Sequence, residues 1–155
     1  MSLLLTLDLG NSRCKLRLWD AAGAAGPAQP RSGLEFAPEE LLTALVALCE
    51  RERDLRHAAL SSVGAPGLEA ALGELFRHRL GEGYLGTPRS GLEIATREPE
   101  RVGRDRLFAA RGALEIEPSS AIVVDAGTAL TVDALEVRAI PGERPRARFL
   151  GGAIA

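Results

Sequence analysis

Residues 3–19 read LLLTLDLGNSRCKLRLW. Leu3 to Leu7 is an apolar run of strand length. Asp8-Leu9-Gly10-Asn11-Ser12 follows and is rich in turn formers. Lys15-Leu16-Arg17-Leu18-Trp19 then alternates polar and apolar, as a half-buried strand does. The stretch predicts a β-hairpin whose turn is polar and contains glycine.

A second stretch repeats the pattern. Ile122-Val123-Val124-Asp125-Ala126-Gly127-Thr128-Ala129 is again an apolar strand followed by Asp-x-Gly and a small polar residue, with Leu130 to Leu135 as the next strand. Two copies of strand, Asp-x-Gly turn and strand predict an α/β protein of duplicated architecture. Between them, Pro38 and Glu39 open a helix with Leu41, Leu42, Leu45, Val46, Leu48 and Cys49 at helical spacing. Ala58 to Val63 is a short strand, and an amphipathic helix spans about Leu68 to Leu80. Residues 21–33 read as a loop or irregular connection, and residues 81–98 as loop-rich. Pro99 and Glu100 open a third helix through Leu114, and Phe149 to Ala155 reads as a strand entering a glycine turn. The character changes near Pro118-Ser119-Ser120, so the expected domains are 1–117 and 118–155. The second is expected to be incomplete, because three strands cannot cover both faces of a sheet.

Composition excludes several classes. The chain has 155 residues, 46% of them hydrophobic, which suffices for a real core. A formal net charge of −2 gives no electrostatic reason to expect nucleic acid or an anionic membrane as partner. The N-terminal apolar stretch is too short for a signal peptide or a membrane span. The two cysteines, Cys14 and Cys49, have no metal-like spacing, and a reducing cytosol is the default.

Three elements carry candidate chemistry. In DLGNSRCK, Asp8 stands at a strand end beside Gly10, where backbone can approach a ligand closely. Asn11 and Ser12 add hydrogen-bond donors, and Lys15 adds a point charge suited to phosphate. The same residues also make an ordinary hairpin turn, and no GxxxxGK[ST] loop occurs in the chain. In VDAGTALTVDAL, Thr128 can donate to a phosphate and Asp125 can hold a cation. In VGRDRLFAARGA, Asp105 can accept the proton of a substrate hydroxyl and Arg106 can grip an anion through two hydrogen bonds. Alone, that third element reads first as a charged helix surface with local ion pairs.

The ordered set is Asp-x-Gly-Asn-Ser-x-x-Lys, Gly-x-Asp-Arg, Asp-x-Gly-Thr-Ala-x-Thr-x-Asp and Gly-Gly-x-Ile. It resembles the type III pantothenate kinases, also called Bvg accessory factor-like, over residues 3–155. The resemblance implies an actin-like (ribonuclease H-like) phosphotransferase fold and ATP-dependent phosphorylation of pantothenate, the first step of coenzyme A synthesis. It implies that Asp8, Gly10, Asn11, Ser12, Lys15 and Thr128 contact ATP. Gly103, Arg104, Asp105 and Arg106 would contact pantothenate, with Asp105 as the general base. Asp125 would hold a monovalent cation, potassium or ammonium, and magnesium would accompany the nucleotide. Family members are cytoplasmic homodimers.

Two departures stand out. Thr96 occupies the substrate-contacting position where the family usually has tyrosine, keeping a hydroxyl and losing a ring. The family pattern also continues past Gly-Gly-x-Ile into a helical half, so the chain is expected to be truncated. Two other readings remain open: another small-molecule kinase on the same fold, and a non-catalytic nucleotide-binding or regulatory remnant.

Overall fold

The computed structural model describes residues 2–10, 13–21, 29–63, 66–127, 129–140 and 145–155. They form two compact units, Met1–Pro88 and Arg89–Ala155.

In the first unit, β1 (Ser2–Leu9) alternates strictly: Leu3, Leu5, Leu7 and Leu9 are buried, while Leu4, Thr6 and Asp8 are half-buried on the other face. β2 (Cys14–Ala21) pairs antiparallel with it, as the hairpin reading predicts, with Leu7 opposite Leu16 and Asp8 opposite Lys15. β3 (Gln29–Phe36) pairs with β2, so much of the expected loop at 21–33 is strand. α1 (Pro38–Arg51) starts at a proline whose missing N–H costs nothing in a first turn. Glu39 and Glu40 at its start and Arg51 at its end suit the helix dipole. It buries Leu41, Leu45, Leu48 and Cys49, spaced for one face. β4 (Leu55–Ser62) returns parallel to β1, giving the order β3-β2-β1-β4. α2 (Pro66–Leu80) adds Leu72 and Phe76 to the same core. Burying each such leucine contributes about 1.5–3 kcal/mol. Beyond β4, residues 84–86 continue the sheet: Leu85 N–H donates to the Ala58 carbonyl at 2.8 Å, and Leu60 N–H to the Gly86 carbonyl at 2.9 Å.

In the second unit, β5 (Glu93–Ile94), β6 (Ala121–Ala126), β7 (Leu130–Arg138) and β8 (Arg146–Ile154) form a sheet of order β5-β8-β7-β6. The expected third helix is split. A 3-10 turn covers Pro99–Arg101, and α3 runs Arg104–Ile116. Leu107 and Ala110 of α3 are buried with Leu135 and Phe149, against the partly buried Val123. This packing puts Arg89–Glu117 with the second sheet, so the compact units divide at 88/89, whereas the sequence reading drew its boundary at 117/118. On the opposite face Ile122, Val124, Leu130 and Val132 are exposed. Gly151 and Gly152 lie within β8 and not in a turn beyond it.

Candidate active site

The hairpin of the first unit presents one half of the expected site. Gly10 N–H donates to the Arg13 carbonyl at 3.0 Å, closing the turn. A Cβ at Gly10 would sit 2.8 Å from that carbonyl oxygen, so this turn requires glycine. Asp8 and Lys15 face each other across the ladder, on the side away from the leucine core. They line a groove of about 390 Å³ together with Thr6, Arg17, Trp19 and Glu35. Trp19 donates its indole N–H to Thr6 Oγ1 at 2.8 Å, and the Arg17 guanidinium lies 5.5 Å from its ring centroid. That wall is therefore fixed. Asn11 and Ser12 lie outside the described residues.

The second unit gathers the Gly-x-Asp-Arg residues at the start of α3. Gly103 precedes the first turn, and Asp105 sits within it, half-buried. Asp105 Oδ1 accepts the backbone N–H of Arg106 at 2.9 Å. Its other oxygen makes no hydrogen bond among the described residues. A Cβ at Gly103 would collide with Asp105 Oδ1, so the glycine makes room for the carboxylate. Arg104 is exposed.

Arg106 is committed to a partner the motif did not predict. Its Nε donates to Asp133 Oδ2 at 3.0 Å and its Nη2 to Oδ1, while the guanidinium lies 5.7 Å from the Phe149 ring centroid. The Arg106 side chain is 13% exposed and that of Asp133 3%. The hydrogen bond to Asp133 pushes the Arg106 pKa above its already high ordinary value, so the group is a permanent cation. Five guanidinium N–H groups less the two given to Asp133 leave three for a ligand.

Arg106 lines a cavity of about 350 Å³ with Thr96, Arg97, Arg101, Phe149 and Gly151. The Thr96 hydroxyl is buried and has no hydrogen-bond partner among the described residues. Such a group costs about 1–3 kcal/mol unless something satisfies it. The glycines of β8 explain themselves here. Gly151 adopts φ +93°, and a Cβ on it would lie 3.0 Å from the Thr96 methyl group. A Cβ on Gly152 would collide with the Val132 carbonyl and approach Asp133 Oδ1 to 2.7 Å.

Asp125, near the end of β6, is exposed and sits opposite Thr131. Gly127 N–H donates to the Ala129 carbonyl at 3.0 Å in the following turn, while Thr128 lies outside the described residues. No group of three His, Cys, Asp or Glu side chains that could hold a metal occurs among the described residues.

With this geometry in hand, comparison with known proteins is decisive. The sequence profile of the family described as "Type III pantothenate kinase" matches residues 4–155. The chain belongs to the type III pantothenate kinase family. The Laribacter hongkongensis type III pantothenate kinase is 34% identical over 156 residues, covering 99% of this chain and 58% of that protein. The Halorhodospira halophila type III pantothenate kinase is 32% identical over 162 residues, covering 97% and 58%. The chain thus spans about 58% of the length of these relatives. Among solved structures, the Aquifex aeolicus Ppx/GppA phosphatase is similar with a TM-score of 0.52 at 13% identity, covering 97% of this chain and 52% of that one. At that identity the likeness shows the fold, which is actin-like.

Parts of three of the four motifs meet in the second unit, while the Asp8–Lys15 motif belongs to the first. Arg106 from Gly-x-Asp-Arg, the last aspartate of Asp-x-Gly-Thr-Ala-x-Thr-x-Asp and the Gly-Gly pair form one contact set, with Thr96 beside it. Sequence reasoning gave no role to Asp133, Phe149 or Arg97. The available signal was Asp133 itself, a carboxylate two residues before Leu135 on the face that α3 covers.

Proposed function

We propose that this chain serves ATP-dependent phosphorylation of pantothenate to 4'-phosphopantothenate, the first step of coenzyme A biosynthesis. The observation that carries the reading is the first turn of α3. There Asp105 keeps one carboxylate oxygen without a hydrogen bond among the described residues, next to an arginine held in place by Asp133.

Asp105 takes the proton of the substrate's primary hydroxyl as that oxygen attacks the γ-phosphorus, the bond to the β,γ-bridging oxygen breaks and ADP leaves. Arg106 orients the substrate through its remaining N–H groups, and Thr96 satisfies its hydroxyl on the same molecule. Gly103 and Arg104, which flank Asp105 in the same motif, also contact the substrate. In the hairpin, Lys15 supplies positive charge to the phosphates and Gly10, Asn11 and Ser12 bind them, while Thr128, after β6, also binds ATP. Magnesium, when bound with the nucleotide, neutralises phosphate charge. Kinase sites hold it through one or two carboxylates plus phosphates, and Asp8 at the groove fits that requirement. Asp125 is the residue to hold potassium or ammonium. A homodimer in the cytoplasm completes the reading.

The test is ADP release with pantothenate, magnesium and ATP, with and without potassium, run beside Asp105→Asn. Loss of a positioned base lowers the rate by about 10²–10⁴-fold. Turnover that needs pantothenate and falls by that factor supports the reading. Turnover untouched by Asp105→Asn refutes the role of Asp105. Nucleotide binding without turnover favours a non-catalytic role.

A further inference from the structure

Arg106 is the obvious cation of the Thr96 cavity, yet its charge is already matched. Asp133 neutralises it through two hydrogen bonds in a nearly dry setting. Arg101 also lines the cavity, and its guanidinium donates to Glu98 at 2.6 Å. Of the three arginines lining the cavity, that leaves Arg97. It makes no hydrogen bond or ion pair among the described residues. Its sequence neighbour is Thr96, whose hydroxyl is buried in the same cavity with no hydrogen-bond partner among the described residues.

Arg106 is paired to Asp133 and Arg101 to Glu98, so the cavity-lining cation without an ion pair among the described residues is Arg97. We infer that Arg97 is the counter-charge for a monoanionic ligand, a carboxylate, while Arg106 acts as a fixed directional donor. Specificity for a carboxylate over a neutral analogue then comes from Arg97. A guanidinium presents a fork matched to a carboxylate, and this one has no internal partner to leave. The inference rests on the proposed substrate only for the choice of probe.

Dissociation constants for pantothenate and for its neutral alcohol panthenol decide the point, measured by calorimetry on the wild-type chain, Arg97→Gln, Arg97→Lys and Arg101→Gln. The expected loss for Arg97→Gln is about fivefold on pantothenate, the scale of one exposed ion pair, and none on panthenol. Arg97→Lys retains most of the preference. Arg101→Gln changes it less than Arg97→Gln. The thermal midpoint of Arg97→Gln stays at the wild-type value, because the side chain supports nothing internal. Wild-type affinity for pantothenate in Arg97→Gln overturns the inference.

If the wild type binds neither compound, the substrate reading fails and the Arg97 assignment is decided separately. Sodium butyrate is titrated while the arginine Nε–Hε resonances are followed by NMR. A saturating shift at Arg97 supports the assignment. No shift there, or a shift at Arg106 alone, overturns it.

Discussion

Replacing Asp133 by asparagine probes a nearly buried charge contact of the second unit. The wild-type carboxylate accepts two hydrogen bonds from a guanidinium only 13% exposed. Asparagine keeps one acceptor and turns an amide N–H₂ toward the cation. Hydrogen bonds to charged groups contribute about 1.5–3 kcal/mol each, and stripping a buried ion of its partner costs about 3–5 kcal/mol. One bond lost and a buried charge uncompensated give an expected destabilisation of about 3 kcal/mol. With a urea m-value of roughly 1.5 kcal/mol/M, the midpoint falls by about 2 M. The assay is urea unfolding followed by far-ultraviolet circular dichroism. Removing both charges together, as Arg106→Met with Asp133→Leu, recovers at least half the loss, since an apolar pair avoids the desolvation of two ions. The Arg106 pKa is raised in the folded state. Its contribution is therefore fully present below the ordinary arginine value and is lost only as pH rises through the raised one. The Asp133→Asn deficit should thus be the same at pH 7 and pH 9. A cost below about 1 kcal/mol, or a double variant no better than the single one, refutes the reasoning.

Three further outcomes are expected. Gly152→Ala forces a Cβ onto the Val132 carbonyl and toward Asp133 Oδ1, so urea unfolding should show a loss above about 2 kcal/mol. Gly10→Ala presses on the Arg13 carbonyl, and a fluorescent ATP analogue should bind it at least several-fold more weakly, with far-ultraviolet dichroism unchanged. Burial pushes up both thiols: Cys14 first by desolvation and then by Asp8 and Glu39, Cys49 by desolvation against a lowering effect of Arg79. The folded protein holds these protons where the unfolded chain releases them, so stability falls as pH rises through the ordinary thiol value. Both thiols should react slowly with a disulfide reagent at pH 8, and Cys14→Ala with Cys49→Ala should flatten the alkaline decline.

The hairpin and α1 were legible because their apolar residues follow a local period. Leu3, Leu5, Leu7 and Leu9 repeat every two residues, and Leu41, Leu45 and Leu48 return to one helix face. β3 was not legible, because QPRSGLEF has neither alternation nor β-branched residues. It is a strand because β2 offers it a free edge, and an edge position tolerates Pro30. The Gly151-Gly152 pair looked like a turn because glycine usually marks one. Here it lets a strand pass tightly against Thr96 and Asp133. Asp105 and Arg106 were visible from motif order, whereas the 27-residue separation between Arg106 and Asp133 hid their contact from any local pattern. The packing of α3 on the second sheet is equally long-range, which is why the compact units do not follow the composition change near Pro118.

The central claim, that Asp105 activates a primary hydroxyl for attack on the γ-phosphate of ATP, is tested most directly by following γ-labelled phosphate. The chain is incubated with labelled ATP, magnesium, potassium and either pantothenate or its 4'-deoxy analogue. The account predicts label in phosphopantothenate with pantothenate, none in an organic product with the deoxy analogue, and none with Asp105→Asn. Label appearing only as inorganic phosphate, equally with either compound, would contradict it.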